Sequence, residues 1–166
     1  MEVELVIADD AEGAARRSAE LLAAAAGRKG HVALSGGHTP RRAYELAAEL
    51  RPDWGSVDVW LGDERCVPPE DDRANVRLVR ESLVARAVTP PTLHPVDTSL
   101  PPGRAAAAYH EALDGVVLDL ALQGIGPDGH TASLYPDEPA LDETAARAVA
   151  APARLEPWVD RVTMTV

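Results

Sequence analysis

Cysteine and lysine are almost missing from this chain: Cys66 is its one thiol and Lys29 its one lysine among sixteen cationic residues. One thiol excludes an intrachain disulfide framework, and the expected setting is a reducing compartment, the cytosol. Long apolar runs are lacking too. The longest run of small apolar residues, 21–26, falls far short of a membrane span. The N-terminal residues show neither the basic region nor the apolar stretch of a secretory signal, so neither export nor membrane anchoring is expected. No basic stripe interleaved with aromatics occurs, and a formal net charge of −11 repels phosphate backbones, which excludes nucleic acid as a partner. The same acidity opposes the approach of an anionic small molecule, so any phosphate site must be built locally and mainly from arginine.

What is present is the balance of a soluble globular protein, 46% hydrophobic and 26% charged over 166 residues. No repeat, low-complexity linker or shift of composition divides it, so residues 1–166 are expected to form one domain. The apolar run 3–8 reads as a strand, and Asp9 and Asp10 after it suit a helix N-cap. Ala11, Ala14, Ala15, Ser18, Leu21, Leu22 and Ala25 recur at helical spacing up to Gly27. Residues 31–34 read as a buried strand. A break at 35–40 follows, then a helix with Thr39 as N-cap and Pro40 at its first position. Residues 57–61 form a third predicted strand, 62–72 an acidic loop, and Val76, Val79, Leu83 and Val84 a helical stripe. The proline-rich 89–103 reads as irregular with a short strand near Leu93, and 104–113 as a helix.

Residues 116–122 are the most apolar strand candidate, expected to be central, and 145–151 and 161–166 are weaker ones. This alternation predicts an α/β fold, a Rossmann-like open and mostly parallel sheet with helices on both faces. In such sheets ligands bind beyond the carboxyl ends of the strands, where the loops after the second, third and most apolar strands would converge.

Three segments there carry residues of chemical interest. Ser35, Gly36, Gly37 and Thr39 lie between a strand and a helix N-terminus. Their backbone N–H groups suit a phosphate, though an ordinary strand-to-helix turn has the same composition. Asp63, Glu64 and Arg65 offer two carboxylates and a guanidinium, or else a charged loop satisfying itself. His130 sits in a glycine-rich turn, and an imidazole, the side chain whose charge changes near neutrality, suits removal of a proton from water. Asp128, two residues earlier, can orient the imidazole, while Thr131 and Ser133 read as capping or hydrogen-bonding neighbours. Ser35 lacks the Gly-x-Ser-x-Gly elbow of a nucleophile, and the five histidines show no metal-ligand spacing, so no metal is expected. Cys66, Trp54, Trp60 and Trp158 read as packing residues.

Taken together, residues 35–40 (Ser-Gly-Gly-His-Thr-Pro), 60–65 (Trp-Leu-Gly-Asp-Glu-Arg) and 119–136, with Gly-Pro-Asp-Gly-His at its centre, resemble the motifs of the 6-phosphogluconolactonases. The match runs in register from about residue 5 to the C-terminus, with Asn75 and Arg77 following the acidic loop as in that family. The resemblance implies a cytosolic enzyme of the oxidative pentose phosphate pathway that opens 6-phosphoglucono-δ-lactone without a required cofactor. It implies His130 as general base, and Ser35, Gly36, Gly37, Thr39, Asp63 and Arg65 at substrate or phosphate positions.

The related glucosamine-6-phosphate deaminases and isomerases have Tyr where Arg65 stands. They also continue Asp-Gly-His with Ile-Ala-Phe-Asn-Glu-Pro instead of residues 131–136 here. Departures from the lactonase pattern are His38 in the phosphate loop, Ala74 before Asn75, and length: family members continue further and supply a Lys near the phosphate. A strand 161–166 at the limit of the sheet would leave an unpaired edge that invites self-association. It would also fit a sugar-phosphate-binding remnant, or a fragment that pairs with a partner chain.

Overall fold

The computed structural model describes residues 3–28 and 30–166. Lys29, the single lysine, lies outside the described residues. Helix α1, Ala11–Ala26, starts where Asp10 Oδ1 accepts the Gly13 N–H at 2.7 Å and ends at Gly27. It leads into β1, His31–Leu34, and helix α2, His38–Leu50. The next elements are β2, Asp58–Leu61, and a three-residue strand β3, Asp63–Arg65. Helix α3, Asn75–Val79, widens into a π-turn over Arg80–Val84. After it come β4, Thr92–His94; helix α4, Pro102–Ala112; and β5, Leu118–Ala121. The last two strands are β6, Ala148–Ala151, and β7, Arg161–Met164.

Strands β4, β2, β1 and β5 form, in that order, a parallel sheet, with Ala33 opposite Trp60 and Trp60 opposite His94. Alternation along each strand divides the core in two. Val32, Leu34, Val59 and Leu61 pack under α1, α2 and α3. Ala33 and Trp60 face α4 together with β6 and β7. Helices therefore lie on both faces of a mostly parallel sheet. Leu22, Leu34 and Leu61 are completely buried, each contributing about 2 kcal/mol of apolar transfer. The smaller sheet, β3–β7–β6, is antiparallel and pins Asp63 opposite Thr163.

Several sequence expectations are corrected here. Residues 3–8 form no strand: Val3, Leu5 and Ile7 are exposed, because no described strand lies beside them to accept a ladder. Helix α2 begins at His38 rather than Pro40. Its N-cap is Gly37, at φ 114°, and no side chain makes a cap hydrogen bond, so Thr39 sits inside the first turn. The acidic loop contains β3, because β7 returns alongside it. Strand β7 is accordingly the middle strand of its sheet and not an unpaired limit. β5, expected to be central, is the edge of the parallel sheet, and its residues alternate between half-buried and exposed. Trp54 and Trp60 pack as expected, whereas Trp158 is exposed.

Candidate active site

The carboxyl ends of β1, β2 and β5 open onto a cavity of ≈ 190 Å³, lined among others by Ser35, Gly36, Asp63, Arg65 and His130. Three segments that are remote in sequence thus meet there. Gly37 and Thr39 do not line it; they are exposed on the first turn of α2 beside it. The main-chain N–H groups of that turn have no intrahelical acceptor. The Ser35 N–H, in contrast, is already committed. It donates to the Tyr44 hydroxyl at 2.9 Å, and the hydroxyl donates back to the Ser35 carbonyl at 2.7 Å. The Ser35 side chain remains available, its Oγ buried without a partner.

Tyr109 repeats this clasp on β2, accepting the Leu61 N–H at 2.8 Å and donating to its carbonyl at 3.0 Å. Two helices on opposite faces thereby complete the backbone bonding at the strand ends that lead into the site. Burial pushes both phenols above their ordinary range.

In β3 the side chains diverge. Asp63 is nearly buried and accepts the Ser133 hydroxyl on Oδ2 at 2.7 Å and Asn75 Nδ2 on Oδ1 at 3.0 Å. Glu64 turns away from the cavity and accepts the N–H groups of Arg65, Asn75 and Val76, each at 2.7 Å. Burial raises its pKa, and those three N–H bonds pull the other way. Arg65 donates through Nη1 to the Arg73 carbonyl at 2.6 Å, while its Nε is buried without a partner. Ser35 Oγ and Arg65 Nε are thus buried donors at a cavity that Asp63 provides with an acceptor.

His130 is carried by the turn after β5, closed by Gly129 N–H to the Gly126 carbonyl at 3.0 Å and Gly126 N–H to the His130 carbonyl at 2.8 Å. Its ring lies against Tyr135, centroids 4.9 Å apart. Nδ1 is 2.5 Å from Asp128 Oδ1, which fixes the Nδ1–H tautomer and leaves Nε2 with a free lone pair. The same bond holds the Asp128 carboxyl below the usual carboxylate range. A Cβ at Gly126 would stand 2.1 Å from His130 Cε1, so a larger residue there displaces the ring.

Sequence reasoning misses Tyr44, Tyr109 and Asn75 as residues that build the site, and it places Glu64 among the chemically interesting carboxylates where the structure gives it to the backbone of α3. Tyr44 and Tyr109 look like ordinary apolar-face residues until their hydroxyls are placed. Asn75 following the Asp-Glu-Arg motif was the one available signal.

The site of this α/β protein is thus a polar cavity at the carboxyl edge of a parallel sheet, with a His–Asp pair on one loop and an arginine on another. The chain belongs to the glucosamine-6-phosphate isomerase/6-phosphogluconolactonase family, whose model matches residues 7–166. It is 40% identical over 137 residues to a 6-phosphogluconolactonase of Rhizobium meliloti, covering 77% of this chain and 59% of that one. With the Thermotoga maritima 6-phosphogluconolactonase it shares 42% identity over 107 residues, 63% of this chain and 49% of the relative. The chain therefore spans about half the length of the curated relatives it matches. A solved Thermotoga maritima 6-phosphogluconolactonase superimposes with a TM-score of 0.82 at 33% identity, covering 92% of this chain and 73% of that one. Among the described residues no helix is long and apolar enough to cross a membrane.

Proposed function

We propose that the chain hydrolyses 6-phospho-D-glucono-1,5-lactone to 6-phosphogluconate, as a cytoplasmic enzyme of the oxidative pentose phosphate pathway. The observation that carries this reading is the single cavity joining Ser35, Gly36, Asp63, Arg65 and His130, together with membership of the family. His130 Nε2 takes a proton from water, and the hydroxide adds to the lactone carbonyl. Asp128 steadies the imidazolium that forms. Arg65 or the backbone N–H groups of the first turn of α2 stabilise the tetrahedral oxyanion. Collapse breaks the bond to the ring oxygen, which leaves as an alcohol with the proton returned by His130, and the carboxylic acid formed gives its proton to solvent and is released as the carboxylate. Donors at Ser35 and Arg65, with Gly36, Gly37 and Thr39 beside them, suit the phosphate; Asp63 suits the sugar.

Opening of the lactone followed by phosphorus NMR at mildly acidic pH, where spontaneous hydrolysis is slow, tests this. Acceleration by the wild-type chain and not by His130→Ala is the expected result. A folded wild type that binds 6-phosphogluconate without accelerating opening would replace the hydrolase reading with that of a sugar-phosphate-binding protein. Self-association is the finer expectation attached to this reading. The edge expected to drive it, 161–166, is paired on both sides at β7, but β5 is one edge of the parallel sheet, and Val117 is exposed just before it. Sedimentation showing a monomer at all concentrations would remove it.

A further inference from the structure

Ser133 is 1% exposed, yet its hydroxyl is spent on a residue seventy positions away: Oγ donates to Asp63 Oδ2 at 2.7 Å. Its backbone N–H donates to Thr163 Oγ1 at 3.2 Å, so Ser133 is held at both ends. The tight turn over residues 131–134 makes this possible. Leu134 N–H donates to the Thr131 carbonyl at 2.9 Å, and Ala132 takes a left-handed conformation at φ 50°. Non-glycine residues adopt that conformation only where the surroundings impose it. Asp63 receives its second donor, Asn75 Nδ2, on the other oxygen at 3.0 Å. Among the described residues no cation forms an ion pair with Asp63; the partners of its carboxylate are neutral donors.

A carboxylate has about four acceptor sites, and two of these are occupied. The cavity that Asp63 lines also holds Ser35 and Arg65, whose Oγ and Nε are buried without partners. The two kinds of group select different parts of one ligand. An ionised phosphate offers acceptors and negative charge, which suit Ser35 and Arg65 and are repelled by Asp63. A sugar hydroxyl offers a donor, which suits Asp63.

We propose that Ser133 is a positioning residue that acts through Asp63: by holding Oδ2, it aims the remaining acceptor capacity of that carboxylate at a hydroxyl of the sugar and away from the phosphate. Ser133 lies three residues beyond His130, so the same hydrogen bond ties the loop carrying the imidazole to β3. Substrate orientation and the position of the base are thereby fixed by one contact. The inference rests on the lactonase reading above.

The test is a double-mutant cycle of Ser133→Ala and Asp63→Ala, read by calorimetric binding of 6-phosphogluconate and of inorganic phosphate, and by KM for the lactone. Thermal melting accompanies each variant to register folding. Ser133→Ala is expected to weaken 6-phosphogluconate binding and raise KM about tenfold, to change inorganic phosphate binding by less than about twofold, and to add almost nothing in the Asp63→Ala background. Ser133→Thr, which keeps the hydroxyl, recovers most of the loss. Asp63→Asn supplies an arm that does not depend on Ser133→Ala folding: it weakens 6-phosphogluconate and spares phosphate. Equal losses for both ligands, or a Ser133→Ala loss that persists without Asp63, make Ser133 a purely structural residue and overturn the proposal. An active wild type with additive losses removes this inference alone. A folded wild type that neither binds 6-phosphogluconate nor opens the lactone removes the lactonase reading, and the inference with it.

Discussion

The wall of the cavity made by β3, with α3 behind it, and the wall made by the turn after β5 are held in different ways. On the first, Glu64 and Asn75 are buried and bonded to the backbone and to each other's neighbours. On the second, Gly124, Ile125 and Asp128 are exposed, and the turn keeps its shape through its own short-range bonds. A buried wall fixes geometry before a ligand arrives, which suits binding groups. An exposed turn keeps the imidazole close to water, which suits a base whose substrate is water. Ser133 is the place where the exposed wall is anchored to the buried one.

Substitutions can break that contrast to different degrees. His130→Ala should have the largest effect, lowering lactone turnover by about 10²- to 10⁴-fold while leaving the melting temperature nearly unchanged, since the side chain serves no core. A comparable drop in stability would make the exposed wall structural. Gly126→Ala forces the ring of His130 aside and should lower turnover at least about tenfold with little change in ligand affinity; unaltered kinetics would mean that the ring has another position from which to work.

On the buried wall, Glu64→Gln keeps one acceptor oxygen and turns the other into a donor facing at least the Val76 N–H, and should cost about 3 kcal/mol in urea unfolding. A loss under about 0.5 kcal/mol, the range of ordinary surface changes, would show that Glu64 is not what holds α3. Tyr44→Phe leaves the Ser35 N–H and carbonyl without their partner, at about 2 kcal/mol. The freed N–H should also alter phosphate affinity, which calorimetry would detect. The smallest effect concerns pH. Asp128 is held low by His130, so its contribution to stability is present above the ordinary carboxylate pKa and lost as pH falls through the lowered value. The stability difference between wild type and Asp128→Asn should be flat from neutrality to about pH 4 and close below it; a difference that closes at higher pH would contradict the lowered carboxyl.

Much of this was legible along the chain. β1 was read over the residues it occupies, and α1 to within a residue of its observed end, because burial and helical spacing are local periodicities. β3 was not legible: three charged residues in an acidic stretch carry no strand pattern, and they become a strand only because β7 returns beside them. The edge position of β5 was misread for a related reason. Apolar content reports how much a strand can bury, while its place in the sheet depends on which strands arrive on either side.

Ser35, Gly36, Asp63, Arg65 and His130 share one cavity because small, charged and titratable residues follow predicted strands, where parallel topology gathers loops. Gly37 and Thr39 fall beside the cavity because α2 starts earlier than the Thr-Pro pair suggests. Glu64, Asn75, Tyr44 and Ser133 escaped or were undervalued because their roles are hydrogen bonds to distant partners, and residue type does not disclose a partner.

By itself, then, the sequence determined the α/β alternation, the family and the loops that could carry chemistry, since each is written in residues near one another. The tertiary structure decided which loop residues face the cavity and which hold it together. It decided that the Ser35 N–H belongs to Tyr44, that Glu64 serves the backbone of α3, and that Ser133 holds Asp63. A hydrogen bond is satisfied by distance and angle in space, and chain order does not fix either for groups seventy residues apart.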